Sequence, residues 1–212
     1  MRRMGIEALY RKPHLSRRHP AHPIYQYLLR DLTIGPPDHV GAADITDIPM
    51  RRGFVYLFAS LDWASRRVLA WRLSNTLTAD FCLDAVREAI TQYGCPEIFN
   101  TDHGCQFTSQ GFTGLLKDHG IQISMDGNGC WRDNVCVERL WRSLKYEEVY
   151  LHTYDTVSTA DQGLERYLLF YNQTHPPQAL DGQTSDQVYD DHLSAWRTAA
   201  SSAIRQGPRM NW

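Results

Sequence analysis

Three acids stand where an unpaired carboxylate is costly. Asp44 lies among Ala42, Ala43 and Ile45. Asp102 closes a short apolar run inside Asn100-Thr-Asp-His-Gly-Cys-Gln-Phe-Thr-Ser109. Glu138 sits within Asp133-Asn-Val-Cys-Val-Glu-Arg-Leu-Trp-Arg-Ser-Leu-Lys145, with 35 residues between it and Asp102. Taken singly, each Asp is a common turn former or cap, and Glu138 reads as a surface glutamate between basic neighbours. Three acids at core edges, on two strands and one helix, are harder to explain separately. Hard divalent cations take carboxylate oxygens and leave positions open to water and substrate phosphate. Two such ions roughly 3.5 to 4 Å apart stabilise both the attacking and the leaving oxygen of a phosphodiester displacement. That is the chemistry these residue types suit.

The elements that must position the acids follow from hydrophobic period. Residues 40 to 49, 54 to 61 and 67 to 74 read as strands joined by short turns, which is hairpin spacing and predicts three consecutive antiparallel strands. Thr78 is the predicted cap of a helix whose apolar face is Phe81, Cys82, Ala85, Val86, Ala89 and Ile90, ended by Gly94 and Pro96. A short strand over 97 to 101 delivers Asp102, a helix follows over 110 to 118, and a further strand covers 121 to 125. In the Glu138 stretch, Val137, Leu140, Trp141 and Leu144 make one apolar stripe, and Glu138, Arg142 and Lys145 repeat at the same spacing beside it. Asp133 is the expected N-cap. Helices are also predicted over 159 to 171 and 185 to 189. The string predicts an α/β fold with a mixed five-stranded sheet, three antiparallel strands then two parallel, flanked by helices.

Asp62, at the end of the second strand, is the rival for the first-strand acid. Asp47 falls on the opposite strand face from Asp44 by the period of two and is the weaker candidate.

The chain has 212 residues, 42% of them apolar, enough for one core with extensions. No apolar run approaches the roughly 20 residues that span a bilayer, so a membrane partner is not expected. Five cysteines (Cys82, Cys95, Cys105, Cys130 and Cys136) without a Cys-x-x-Cys suggest neither a disulfide framework nor a zinc knuckle, and fit a reducing cytoplasm. The formal charge of −2 argues mildly against nucleic acid, but its distribution is uneven. Residues 1 to 30 carry seven Arg or Lys (Arg2, Arg3, Arg11, Lys12, Arg17, Arg18, Arg30) against Glu7 alone, or +6, which leaves −8 for the rest. A basic arm can hold phosphates while an acidic body holds cations. The expected organisation is a basic extended arm over 1–36, a core over 37–155, a helical extension over 156–195 and a disordered tail over 196–212.

The order Asp44, Asp102, Glu138, with Lys145 seven residues after the glutamate, resembles the DDE transposases and retroviral integrases. Ala43-Asp-Ile-Thr-Asp-Ile-Pro-Met, Leu61-Asp-Trp-Ala-Ser-Arg-Arg, Thr101-Asp-His-Gly-Cys-Gln-Phe-Thr-Ser, Asp133-Asn-Val-Cys-Val-Glu, and Tyr171-Asn172 followed by Gln178-Ala-Leu resemble, more closely, the catalytic second reading frame of two-frame bacterial insertion sequences. The resemblance implies a ribonuclease H-like fold, two Mg²⁺ or Mn²⁺ ions, cleavage of transposon ends, and attack of the freed 3′-hydroxyl on another strand. It places Asp44 and Asp102 on a shared metal and Glu138 on the second. It further implies DNA contacts from Lys145, Arg142, His103, Gln106 and Asn134. The implied partners are double-stranded DNA, as transposon ends and target, a second copy of the chain, and a first-frame helix-turn-helix protein, all at the bacterial nucleoid. An upstream end-recognition region usual in the family is not expected within this chain. The alternative is an inactive or truncated remnant that only binds DNA or dimerises; a nuclease for RNA·DNA hybrids is a third reading. Five positions depart from the family pattern: Gly41 for Trp, Asp47 for Tyr, His175 and Pro177 in His175-Pro-Pro for Arg-Pro-His, and Ser185 for Pro. Loss of the Trp side chain at position 41 is expected to cost packing on the order of a few kcal/mol.

Overall fold

A computed structural model describes residues 25–125 and 134–205 of the chain. The basic positions from Arg2 to Arg18, and Asp133 with its expected cap, lie outside them. Strands β1 (Val40–Pro49), β2 (Phe54–Asp62) and β3 (Val68–Ser74) form an antiparallel meander, and β4 (Ile98–Thr101) and β5 (Gln122–Met125) add in parallel to give the order β3-β2-β1-β4-β5. The first turn reverses at Gly53, whose φ of 82° suits glycine, with the Met50 N–H donating to the Gly53 carbonyl.

β1 is central, and its alternation divides the molecule into two layers. Ala43 faces helices α1 (Asp80–Tyr93) and α2 (Gln110–Asp118), over a core of Phe58, Ala70, Phe99, Phe107, Phe112 and Met125. Ala42 and Ile48 face α3 (Val135–Glu147) and α4 (Val157–Gln173), over Leu57, Ala59, Leu61, Leu140, Leu144, Leu164 and Tyr171. Burial of each such Leu stabilises by roughly 1.5 to 3 kcal/mol. Helix α1 is the crossover that brings β4 parallel to β1, as a period-3.6 segment between two strands requires.

Several ends differ from expectation. The residue before α1 is Ala79, with no side-chain cap, so Thr78 does not cap it. Helix α4 starts two residues early because Thr156 and Thr159 form a reciprocal capping box. Helix α5 (Ser185–Arg205) continues past Ala195, where a tail is expected to begin. The run after Ala195 is rich in helix formers and meets no Gly or Pro before Gly207. Arg67 fastens α5 to the sheet: its guanidinium pairs with Asp186 and Asp190, each at 3.0 Å, and lies over the rings of Tyr93 and Tyr189. Among the described residues no helix is long and apolar enough to cross a membrane.

Asp62 belongs to the fold. It is buried; one oxygen accepts the Asp38 N–H at 2.9 Å, and the other accepts the Ser65 N–H and hydroxyl at 2.7 and 2.6 Å. This carboxylate closes the β2–β3 turn and ties it to the segment entering β1. Burial raises its pKa against those three bonds. Asp62→Ala leaves two backbone donors near it without their acceptor, and is expected to lower the unfolding free energy in urea by about 2 to 4 kcal/mol.

Candidate active site

The parallel pairing of β1 with β4 brings the first two acids together. Ala42 stands opposite Asn100, so two residues further along each chain Asp44 comes level with Asp102. Both continue the face that carries Ala42, the face turned toward α3. β4 ends at Thr101, which leaves the Asp102 side chain exposed at the sheet's carboxyl edge, where open α/β sheets place their ligands. A tight loop fixes it there: Asp102 Oδ1 accepts the Gly104 N–H at 2.8 Å. A Cβ at position 104 would come within 2.9 Å of that same oxygen, so glycine is what lets the loop close on its own carboxylate.

Glu138 comes from the first turn of α3. Val137, Leu140, Trp141 and Leu144 are buried against the sheet, as their spacing predicts, and Glu138 is exposed beside that stripe. The residue that joins this helix to β1 is Trp141, three positions on. Its indole Nε1 donates to Asp44 Oδ2 at 2.9 Å. The sequence reading assigns Trp141 to the core alone. Its polar tip was the available signal, since a buried indole N–H requires an acceptor.

Asp44 is half-buried, and its carboxyl is pushed up to about 6 from an ordinary 3.8. Burial is the largest cause. The Trp141 bond opposes it, the negative charge of Asp102 adds to it, the Ile45 backbone opposes it, and Glu138 adds again. Asp44 therefore sits in the field of both other acids, and that field favours a cation. Among the described residues, no group of three His, Cys, Asp or Glu side chains is gathered closely enough to hold a metal ion as it stands. The chemistry of the donor set fits one: Asp44 is held by Trp141, and Asp102 and Glu138 present exposed carboxylates whose charges both act on it. Oxygen donors of this kind suit Mg²⁺ and Mn²⁺.

The expected DNA-contacting residues divide. Arg142 is exposed, and Lys145, half-buried, pairs with Asp47 at 3.6 Å. Asp47 meets α3 through Lys145 although its strand parity is opposite to that of Asp44; the β1–β4 pairing itself ends at Ala42. His103 is half-buried in the Asp102 loop. Gln106 and Asn134 are buried, and each spends a side-chain N–H on a backbone carbonyl. Gln106 donates to the Leu77 carbonyl at 3.0 Å, and Asn134 Nδ2 to the Ala43 carbonyl at 3.4 Å.

Two of the departures, Gly41 and His175, meet close neighbours. A Cβ at Gly41 would stand 3.0 Å from Phe99 and 3.3 Å from Pro96, so the space beside this strand is filled and the expected packing loss does not arise as a void. His175 stacks on Tyr171 at 5.4 Å and approaches Glu147 at 3.7 Å.

A mixed sheet in this order with helices on both faces is a ribonuclease H-like core. Two models of the integrase core domain match residues 36–129 and 119–184. The chain belongs to the superfamily of DDE transposases and retroviral integrases. It is similar to the transposase InsF of insertion sequence IS3A from Escherichia coli K12, 34% identical over 155 residues, covering 71% of this chain and 54% of that protein. It is also similar to the transposase of insertion sequence element IS904 from Lactococcus lactis, 31% identical over 150 residues, covering 68% and 58%. The chain thus spans little more than half the length of these relatives. Among solved structures, the HTLV-2 integrase catalytic core domain in complex with magnesium aligns at a TM-score of 0.57 and 23% identity, over 73% of this chain and 97% of that one. The catalytic core domain of BIV integrase aligns at 0.58 and 18%, over 76% and 99%. At these identities the structures share the fold.

Proposed function

We propose that this chain is the catalytic core of an insertion-sequence transposase, cutting DNA at transposon ends and joining the freed 3′-hydroxyl to a second strand. The observation that carries the reading is Asp44, a carboxylate held by an indole N–H while two further carboxylates raise its proton affinity. Asp44 and Asp102 would hold one Mg²⁺ or Mn²⁺, and Glu138 would complete the site for a second. When bound, the metal supplies positive charge to the attacking and leaving oxygens of the phosphodiester. Arg142 and Lys145, on the same helix as Glu138, hold the flanking phosphates, with Lys145 exchanging Asp47 for phosphate; His103 borders the scissile group from the Asp102 loop. These contacts are sequence-neutral. The basic arm would add phosphate affinity without sequence choice, and choice of ends would fall to a first-frame helix-turn-helix partner; the chain would act on double-stranded DNA, as transposon ends and target, as a homo-oligomer at the nucleoid.

The experiment is incubation of the chain with Mn²⁺ and a pre-nicked transposon-end duplex, with cut and joined products resolved on a denaturing gel. Joined products that vanish on chelation are expected. No cleavage, together with no carboxylate-dependent heat on Mn²⁺ titration, would instead establish a remnant that binds DNA or self-associates without catalysis. Cutting confined to RNA·DNA hybrids would make it a nuclease.

A further inference from the structure

We infer that Trp141 is a positioning residue for the metal-binding carboxylates, a brace that fixes the Asp44 carboxylate and sets the distance from β1 to the helix turn carrying Glu138. The inference rests on the proposed function, because it concerns how a metal is held. Trp141 Nε1 donates to Asp44 Oδ2 at 2.9 Å, so the indole itself engages only one of the two carboxylate oxygens. Trp141 and Glu138 are three residues apart on α3, about 4.5 Å along the axis. The bond that orients one acid therefore also anchors the turn that presents another.

The chemistry of the donor matters. Indole N–H is a neutral donor with no acceptor capacity, so it can orient a carboxylate without cancelling its charge. A Lys or Arg in its place would orient Asp44 equally well and compete with the metal. The ring itself is immobilised: Trp141 is 7% exposed and packed in one cluster with Ala42, Val137, Leu140 and Leu144, so the donor is held in place before any ligand arrives. Groups that orient a metal's ligands in this way commonly govern affinity by roughly 10- to 100-fold.

The test is Mn²⁺ titration calorimetry on the full chain at neutral pH, comparing the parent, Asp44→Asn and Trp141→Phe, with urea unfolding of each metal-free protein. A companion protein carries benzothienylalanine at position 141 by amber suppression, which replaces the N–H by sulfur and keeps the ring's shape. Both Trp141 replacements are expected to weaken Mn²⁺ binding about tenfold or more. The benzothienyl protein should do so with an unfolding midpoint close to the parent's, which separates the brace from simple packing. Binding within twofold of the parent in a folded benzothienyl protein overturns the brace and leaves the proposed function standing, provided Asp44→Asn abolishes the heat. A parent that binds no Mn²⁺ overturns both.

Discussion

Asp44→Asn is expected to abolish strand transfer, by roughly a thousandfold or more if several kcal/mol of metal-borne stabilisation leave the transition state, and to raise the stability of the metal-free protein. The two effects share one origin. Asp44 is a half-buried carboxylate facing the negative charge of Asp102 and Glu138, and it is worse off in the fold than in water. Asparagine keeps the acceptor for Trp141 Nε1 and removes the charge that burial and both neighbours oppose. Asp102→Asn gives the contrast. Asp102 is exposed and its Oδ1 accepts from Gly104, a bond that asparagine retains, so activity falls as far while stability stays within about 0.5 kcal/mol. Strand-transfer assays and urea unfolding on the three proteins check both halves. An Asp102→Asn protein that cut as fast as the parent would remove Asp102 from the site.

Raising the pH from 5 to 7 is expected to tighten Mn²⁺ binding about tenfold and then have little further effect, because the ion must displace a proton from a carboxyl that titrates near 6. The sign for stability is the reverse. The folded pKa of Asp44 lies above the unfolded value of 3.8, so folding favours the protonated form. That contribution is fully present below 3.8 and is lost as pH rises through 6, on the order of 2 to 3 kcal/mol. Metal-free protein should therefore lose this increment between pH 4 and 7, and saturating Mn²⁺ should restore stability at the upper end through its preference for the folded, deprotonated site. Calorimetry at several pH values, paired with unfolding with and without Mn²⁺, measures both. A pH-independent Mn²⁺ affinity between 5 and 7 would show that Asp44 is ionised throughout and is not the proton that metal displaces.

Periodicity and turn chemistry made most of the sheet legible before any coordinates. A strand-length segment over residues 40 to 49 and an apolar run over 54 to 61, with a short turn between them, leave little choice but a hairpin, and β1 and β2 pair accordingly. Helix α3 was equally readable, because Val137, Leu140, Trp141 and Leu144 admit only one buried face. Helix ends were less so. Thr78 and Thr156 are both plausible caps in sequence, and only Thr156 accepts its helix's N–H, which depends on backbone angles that residue type does not set. Side-chain amides were least legible: the partners of Gln106 and Asn134, the Leu77 and Ala43 carbonyls, lie 29 and 91 residues away.

The sequence by itself determined that three acids lie at the edges of apolar segments, and in which order; period and polarity are local properties and survive in the string. It also determined which face of the Glu138 helix is buried. Only the tertiary structure decided that Asp44 and Asp102 come level across the β1–β4 pair, that Asp62 closes a turn instead of joining them, and that the indole of Trp141 grips Asp44. The first and last of these depend on strand register and on contacts 58 and 97 positions apart, while Asp62 reaches Ser65 three residues on and Asp38 24 residues back. Register and the long contacts are fixed by how two layers pack on one sheet, which no window of neighbouring residues contains.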